Sequence, residues 1–594
     1  MTTGIWVGMV APHSLSPLTA HPIMRNTFLL GASLALGTVA CSPSAPPGPP
    51  PLTDYTVNSG APRAPEQLAV TFEHADLSFR VDPARHWIEG DAKLTFALTA
   101  PLRRVVLDLD RNLPIDAVEV DGTPLPRSAF RNPQGRLEID LPHPLDTGAR
   151  TTVRVTYHGS PHVAVRAPWD GGFVWAKTPD GKPWVATAVE GEGCDVFWPC
   201  IDHPMGRPKL VDEHVTVPLP LVAVGNGVAQ GMDQANGMRK FHWRSHDVST
   251  YGVALNIAPY RELSSAYTSR FGNVIPLHYW YVDDEKQAKA LFAEFPPMLD
   301  FLESTIGPYP FGAEKMGVAE TPFKGMEHQT INAYGNEYAK TPYGYDDLLQ
   351  HELSHEWFGN QMTNANWDDM WLHEAFATYM QPLYAESIGG KQAYFASLMR
   401  IRSGLANHHP IVSGKPRREE DVYEDARGGP GQDIYGKGAM MLHTLRILIG
   451  DEAFYRSVRL LVYGTEHPVP GNFAPRYGTT NEFIDIVDKV TGKDMHWFFN
   501  VYLYQAALPD LQVTRDGQQL HLVWSVPGKG PFPMPVDVRV GDHVVTLPMT
   551  DGRGDVTLPE HATYTLDPDS KLLRRDVGIE VYREYVEKHK VKNR

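Results

Sequence analysis

Residues 351–355 read His-Glu-Leu-Ser-His, and 18 residues separate His355 from Glu374 in the run Trp-Leu-His-Glu-Ala-Phe-Ala-Thr-Tyr. Histidines four positions apart project from one face of a helix about one turn apart, so both imidazoles can grip a single ion. A tetrahedral zinc site takes a third protein donor and leaves its fourth position open to water. Glu374 supplies that donor if a second helix folds back on the first, and the intervening residues are enough for the turn. The pattern therefore commits the chain to two packed helices around one metal, with one Zn2+ per chain as the expected cofactor. Asp346 or Asp347 can cap the first helix, Leu348, Leu349, Leu353 and Trp357 can pack its buried side, and Gly389-Gly390 can close the second.

Glu352 follows the first ligand and faces the water position rather than the metal, which makes it the expected general base. It can take the proton of the attacking water and return it to a leaving amine. His373 adjoins Glu374, but adjacent helical residues point about 100° apart, so His373 is assigned to packing or hydrogen bonding behind the ligands. The three cysteines, Cys41, Cys194 and Cys200, have no Cys-x-x-Cys spacing and build no zinc site. Cys194 and Cys200 are close enough to pair in an oxidising compartment, and two free, partly buried thiols are the equal alternative.

A chain of 594 residues exceeds one hydrophobic core. Residues 66–265 alternate apolar and polar positions, as in Leu94, Phe96 and Leu98 against Lys93, Thr95 and Ala97, predicting an N-terminal domain of half-buried antiparallel strands. Residues 266–505 switch to helical spacing and hold the metal motif. Residues 506–594 alternate again, with turns at Asp516-Gly517 and Gly541-Asp542, as a small β-sandwich and tail. The expected class is multidomain α+β. A formal charge of -16 argues against a general nucleic-acid binder.

The N-terminus carries an address. Residues 28–40 form an apolar stretch of signal-peptide length after Met24-Arg25, so residues 1–23 read as an extension and 24–40 as a signal peptide. Residues 41–65 begin Cys-Ser-Pro-Ser-Ala-Pro-Pro and read as an extended tether. The order resembles a bacterial lipoprotein precursor, although Thr38 stands where leucine is usual. It implies a lipid on Cys41 as the only membrane contact and a place in the cell envelope; ordinary cleavage after Ala40 is the alternative.

Taken together, His-Glu-Leu-Ser-His-Glu-Trp-Phe-Gly-Asn, Trp-Leu-His-Glu-Ala-Phe-Ala-Thr-Tyr and Ile-Tyr-Gly-Lys-Gly-Ala-Met-Met-Leu (434–442) resemble the aminopeptidase N family of gluzincins. The resemblance implies a saddle-like β domain, a thermolysin-like catalytic domain and a C-terminal β-sandwich without a helical superhelix. It makes Tyr435 the oxyanion donor. Lys-Gly-Met-Glu-His (324–328) resembles the family's exopeptidase motif, in which Glu327 binds the substrate's free amine, with Lys324 and His328 departing from the usual glycine and asparagine. Ala375 stands where glycine is common. Glu190 is the second amine-binding residue by position, with Glu192 two residues away. The implied partners are peptides with a free N-terminus. A zinc endopeptidase, a secondary epoxide hydrolase activity and an inactive peptide-binding scaffold are the rival readings.

Overall fold

The structure, a computed structural model, describes residues 52–589 apart from Asp54, Asn472 and Lys529. The extension 1–23, the signal peptide 24–40 and Cys41 lie outside the described residues. Among the described residues no helix is long and apolar enough to cross a membrane.

The alternating pattern of the first domain becomes an eight-stranded sheet. Strand Trp87–Leu98 buries Ile88, Ala92, Leu94, Phe96 and Leu98 and turns Glu89, Lys93 and their neighbours outward. Its neighbours Val70–Asp82 and Arg150–Gly159 pair with it antiparallel, as alternation and turns predict. One pair departs: Val70–Asp82 and Leu210–Pro218 run parallel, His74 opposite Leu210 and Arg80 opposite Thr216. These strands are far apart in sequence with no hairpin between them, and a period of two reports a strand's faces but not its direction. A four-stranded sheet (Gly172–Lys177, Pro183–Ala188, Val222–Val224, Asn256–Ala258) and a three-stranded one (Leu102–Asp108, Phe130–Arg131, Arg136–Leu145) complete the layer.

Cys194 and Cys200 form a disulfide, both fully buried, and Cys200 exchanges backbone hydrogen bonds with Asp108. The disulfide closes the loop after Glu190, and the Cys200–Asp108 hydrogen bonds tie that loop to the three-stranded sheet. Residues 52–64, read as the end of an extended tether, are instead packed: Thr53, Thr56 and Ser59 are buried, and Thr53 Oγ1 donates to Gln134 O at 2.6 Å. Ser59 Oγ donates to Asp202 Oδ1 at 3.1 Å, and Ser59 O accepts the Glu419 N–H at 3.3 Å. Gly60, at φ 75°, lies so close to Trp367 that a β-carbon would stand 1.9 Å from the indole. Proline-rich composition predicts a stiff segment, but it does not register the threonine and serine hydroxyls that dock this one.

The second region opens with strand Arg261–Thr268, which pairs with Val274–Tyr281 in a five-stranded sheet completed by Met316–Glu320, Gly325–Met326 and Asn332–Tyr334. The catalytic region's sheet thus reaches back to residue 261. Helices then dominate until Tyr502. Beyond residue 505 two three-stranded sheets follow, with Asp516 opposite Gln519 and Val540 opposite His543 across the expected turns, and then a single helix, Val577–His589.

Candidate metal centre

The first metal helix, Asp347–Ser354, starts where Asp346 leaves helical geometry and its side chain accepts the Leu349 N–H at 3.0 Å. Asp346, not Asp347, is the cap. His355 is the C-cap residue and still has helical dihedrals, so it stands one turn below His351 on the same face. The second helix, Trp371–Ser403, carries Glu374 in its first turn and breaks at Gly390 (φ 68°, ψ -166°), where Gly-Gly marked an end. Phe358, just past the end of the first helix, stacks on Phe376 of the second with centroids 4.8 Å apart.

The three donor atoms form a compact triangle. His351 Nε2 and His355 Nε2 are 3.1 Å apart, and Glu374 Oε2 lies 3.4 and 3.5 Å from them. Donors each about 2 Å from a tetrahedral centre stand about 3.3 Å from one another, so these residues fit zinc. His355 Nδ1 donates to Phe358 O at 2.8 Å, which fixes the tautomer that offers Nε2 to the metal. Glu374 Oε2 is buried without a hydrogen-bond partner, the condition of an atom awaiting a cation. Burial alone would raise the Glu374 carboxyl; His355 and His351 override it and hold the group well below the ordinary carboxylate range.

Glu352 is buried beside this triangle, and its carboxyl, that of Glu327 and the His355 ring converge within 4.8 Å. Burial, reinforced by Glu327 and Glu374 and opposed by His355, pushes the Glu352 carboxyl up. Gly325, in a short edge strand, faces it so closely that a β-carbon there would stand 2.0 Å from Glu352 Oε1. The glycine of the Lys-Gly-Met-Glu-His motif is thus the space occupied by the candidate base.

Glu327 is buried and accepts a hydrogen bond from Tyr251 Oη at 3.1 Å. Glu190, Glu327 and His373 bring donor atoms within 4.8 Å of one another, and Glu190 Oε1 is buried without a partner. Glu192 is engaged elsewhere, accepting the Gly171 N–H. His373 Nε2 accepts the Asn364 N–H at 2.8 Å, so His373 serves as a hydrogen-bonding residue behind Glu374, and burial pushes its pKa down to about 3. Of the two departures in the motif, Lys324 is exposed, while His328 is fully buried and kept neutral, its pKa pushed down to about 3.

Tyr435 ends a 3-10 turn and begins helix Gly436–Ile449. Its hydroxyl lies 3.2 Å from that of Tyr423, and its ring centroid lies 6.2 Å from the His351 ring. Burial and the surrounding carboxylates push its pKa well up, so the hydroxyl keeps its proton for donation. The helix docks through Gly438, where a β-carbon would stand 2.4 Å from Ala375 Cβ. Gly438→Ala is expected to cost about 1–3 kcal/mol through overpacking and to lower activity by shifting Tyr435; thermal melts and steady-state rates check both.

Sequence reading missed Tyr251, Tyr423 and Glu419. Tyr251 arrives from the β domain, 76 positions before the Glu327 it holds. Tyr423 and Glu419 sit in Glu-Glu-Asp-Val-Tyr, a charged run that reads as solvated surface although Glu419 is buried.

Residues 297–502, which include every ligand and candidate catalytic residue above, match the Peptidase family M1 domain. The region that carries the metal centre is thus similar to peptidase family M1. The resemblance to aminopeptidase N and its relatives is borne out. Tricorn protease-interacting factor F2 of Thermoplasma volcanium is 22% identical over 412 residues, 64% of this chain and 49% of that protein. Aminopeptidase N of Streptomyces lividans is 25% identical over 360 residues, 55% of this chain and 38% of its own length. The chain spans about half the length or less of these curated relatives. Among solved structures, a mutant M1 zinc metallopeptidase from Deinococcus radiodurans, bound to a Tyr-Ser-Ala substrate, superposes with a TM-score of 0.62 at 25% identity. The match covers 76% of this chain and 98% of that one.

Proposed function

We propose that this protein is a zinc aminopeptidase that removes the N-terminal residue of peptides. The carrying observation is that Glu327 stands within 4.8 Å of both the Glu352–His355 pair and Glu190. In a peptide the terminal nitrogen is about 2.5 Å from the first carbonyl carbon. An ammonium held by Glu327 and Glu190 therefore brings only the first peptide bond to Glu352.

His351, His355 and Glu374 would hold the zinc, which when bound supplies Lewis acidity toward a water and a carbonyl oxygen. Glu352 accepts the proton of the attacking water and delivers it to the leaving amine. Tyr435 Oη donates a hydrogen bond to the developing oxyanion. Tyr251 holds Glu327 in place for the substrate amine.

The test is a panel of aminoacyl fluorogenic amides on zinc-replete protein, with N-acetylated counterparts. Free-amine substrates are expected to be cleaved and acetylated ones spared; equal rates on both would make the protein an endopeptidase, and no hydrolysis would favour a binding scaffold. Glu327→Gln is expected to raise KM about 10- to 100-fold, the worth of one charge-assisted hydrogen bond. Burial, opposed by His355 and reinforced by Glu374, leaves the Glu327 carboxyl above its ordinary range. A carboxyl holds an ammonium only when ionised, so KM should rise as Glu327 takes up its proton on the acid side; an acid limb in KM that Glu327→Gln leaves in place would count against Glu327 as the anchor.

Placement in a bacterial cell envelope is also proposed. It is supported by residues 28–41 of the sequence and by the Cys194–Cys200 disulfide, which suits an oxidising compartment.

A further inference from the structure

We propose that a cavity between the catalytic helices and the C-terminal β region binds a monocarboxylate with a small apolar tail, its carboxylate held by Arg402. The site goes beyond the peptidase reading and shares no residue with the metal centre.

Past its break at Gly390, the helix Trp371–Ser403 carries Phe395, Leu398, Met399 and Arg402 at positions i, i+3, i+4 and i+7. That spacing sets them on one helix face, where an apolar stripe ends in an arginine. The same four side chains line a cavity of about 160 Å³, completed by Met440 of helix Gly436–Ile449 and by the turn Pro568-Asp569-Ser570. The turn is fixed to the helix that begins at Tyr435, because His443 Nε2 lies 3.2 Å from Ser570 O. Leu398 and Met440 are buried at the inner wall, while Met399 is 47% exposed and marks the mouth with Asp569.

The arginine is the anomaly. Arg402 is 6% exposed, and arginines this deeply buried are almost always paired. Among the described residues this one forms no ion pair, and its hydrogen bond runs from Nη2 to Arg574 O at 3.0 Å. Burial and Arg574 push its pKa down, against Asp576 and Asp567, yet a guanidinium keeps its proton in proteins. The surrounding carboxylates are committed. Asp567 accepts the Lys571 and Leu572 N–H groups at 2.8 and 3.1 Å, and Asp576 accepts the Gly578 N–H at 2.9 Å. Asp569 faces Arg539 and Lys571 at 3.5 and 3.8 Å. Arg574, 3.9 Å from Asp576, adds a second guanidinium nearby whose Nε is buried without a partner.

One carboxylate satisfies the unpaired Arg402, whereas Asp569 at the mouth opposes a dianion such as phosphate. The volume sets the tail, since an apolar cavity of about 150 Å³ holds a benzene ring, or about six carbon atoms.

The experiment titrates zinc-replete protein calorimetrically with 4-methylpentanoate, 4-methylpentanamide and inorganic phosphate. The acid is expected to bind at least about tenfold more tightly than its uncharged amide, the worth of one charge-assisted hydrogen bond, and phosphate more weakly than the acid. Arg402→Met is expected to erase the advantage of the acid. Met399→Trp, at the exposed mouth where a larger side chain disturbs no core, is expected to block acid and amide alike and carries the test should Arg402→Met fail to fold. A preference for the acid that both substitutions leave in place puts the carboxylate elsewhere, the zinc included, and overturns the site. Equal affinity for acid and amide, tighter binding of phosphate, or no binding at millimolar concentration overturns it as well.

Discussion

Glu352→Gln is expected to lower kcat about 10²- to 10⁴-fold without loss of bound zinc. The substitution keeps the side chain's volume, which matters because Glu352 fills the space that Gly325 leaves open. It also leaves the triangle of His351, His355 and Glu374 intact, with its separations of 3.1, 3.4 and 3.5 Å. What disappears is the only group at that position able to accept a proton. Steady-state rates and metal analysis on the same preparation check this. A variant that keeps its zinc and more than a tenth of its turnover would remove Glu352 from the role of base.

Gly325→Ala is expected to lower kcat/KM about 10²-fold with little loss of stability. The added methyl meets the far end of a glutamate side chain, which can swing aside without moving backbone, so the fold tolerates it. A general base at Glu352 would not, because a shift of even 1 Å at a proton-transfer site is costly. Gly438→Ala contrasts with it: there the methyl meets Ala375 Cβ, between two buried helices, and stability falls as well. Rates and thermal melts on the two variants therefore separate a glycine that clears space for chemistry from one that clears space for packing. A Gly325→Ala protein that turns over normally would show that Glu352 works from elsewhere.

The parts legible in sequence are those whose logic is local. His351, His355 and the capping Asp346 lie within one short helix, and the helical period alone predicts their shared face. Glu374 needed the added argument that a zinc requires a third donor, and the Gly390 break fell where Gly-Gly punctuated the pattern. Alternation in Trp87–Leu98 told which side chains enter the core, but not that Val70–Asp82 pairs parallel with Leu210–Pro218. Glu190 beside Glu327, Tyr251 on Glu327 and Glu419 against Gly191 are products of chain crossings between distant segments. No periodicity encodes such meetings. Glu419 was further disguised by its company, since acidic runs are usually solvated and this one turns a single member inward.

The strap formed by residues 52–64 sets a lower limit on how far the chain can be shortened. Its hydroxyls dock on the β domain, while its Ser59 carbonyl holds the helix of Glu419 and its Gly60 covers Trp367. A protease that trims the protein to the first strand of the β domain would leave the zinc ligands untouched. It would also free the helix Glu419–Tyr423 from Ser59, so a shortened form would keep its metal ligands while Tyr435 lost the support of Tyr423.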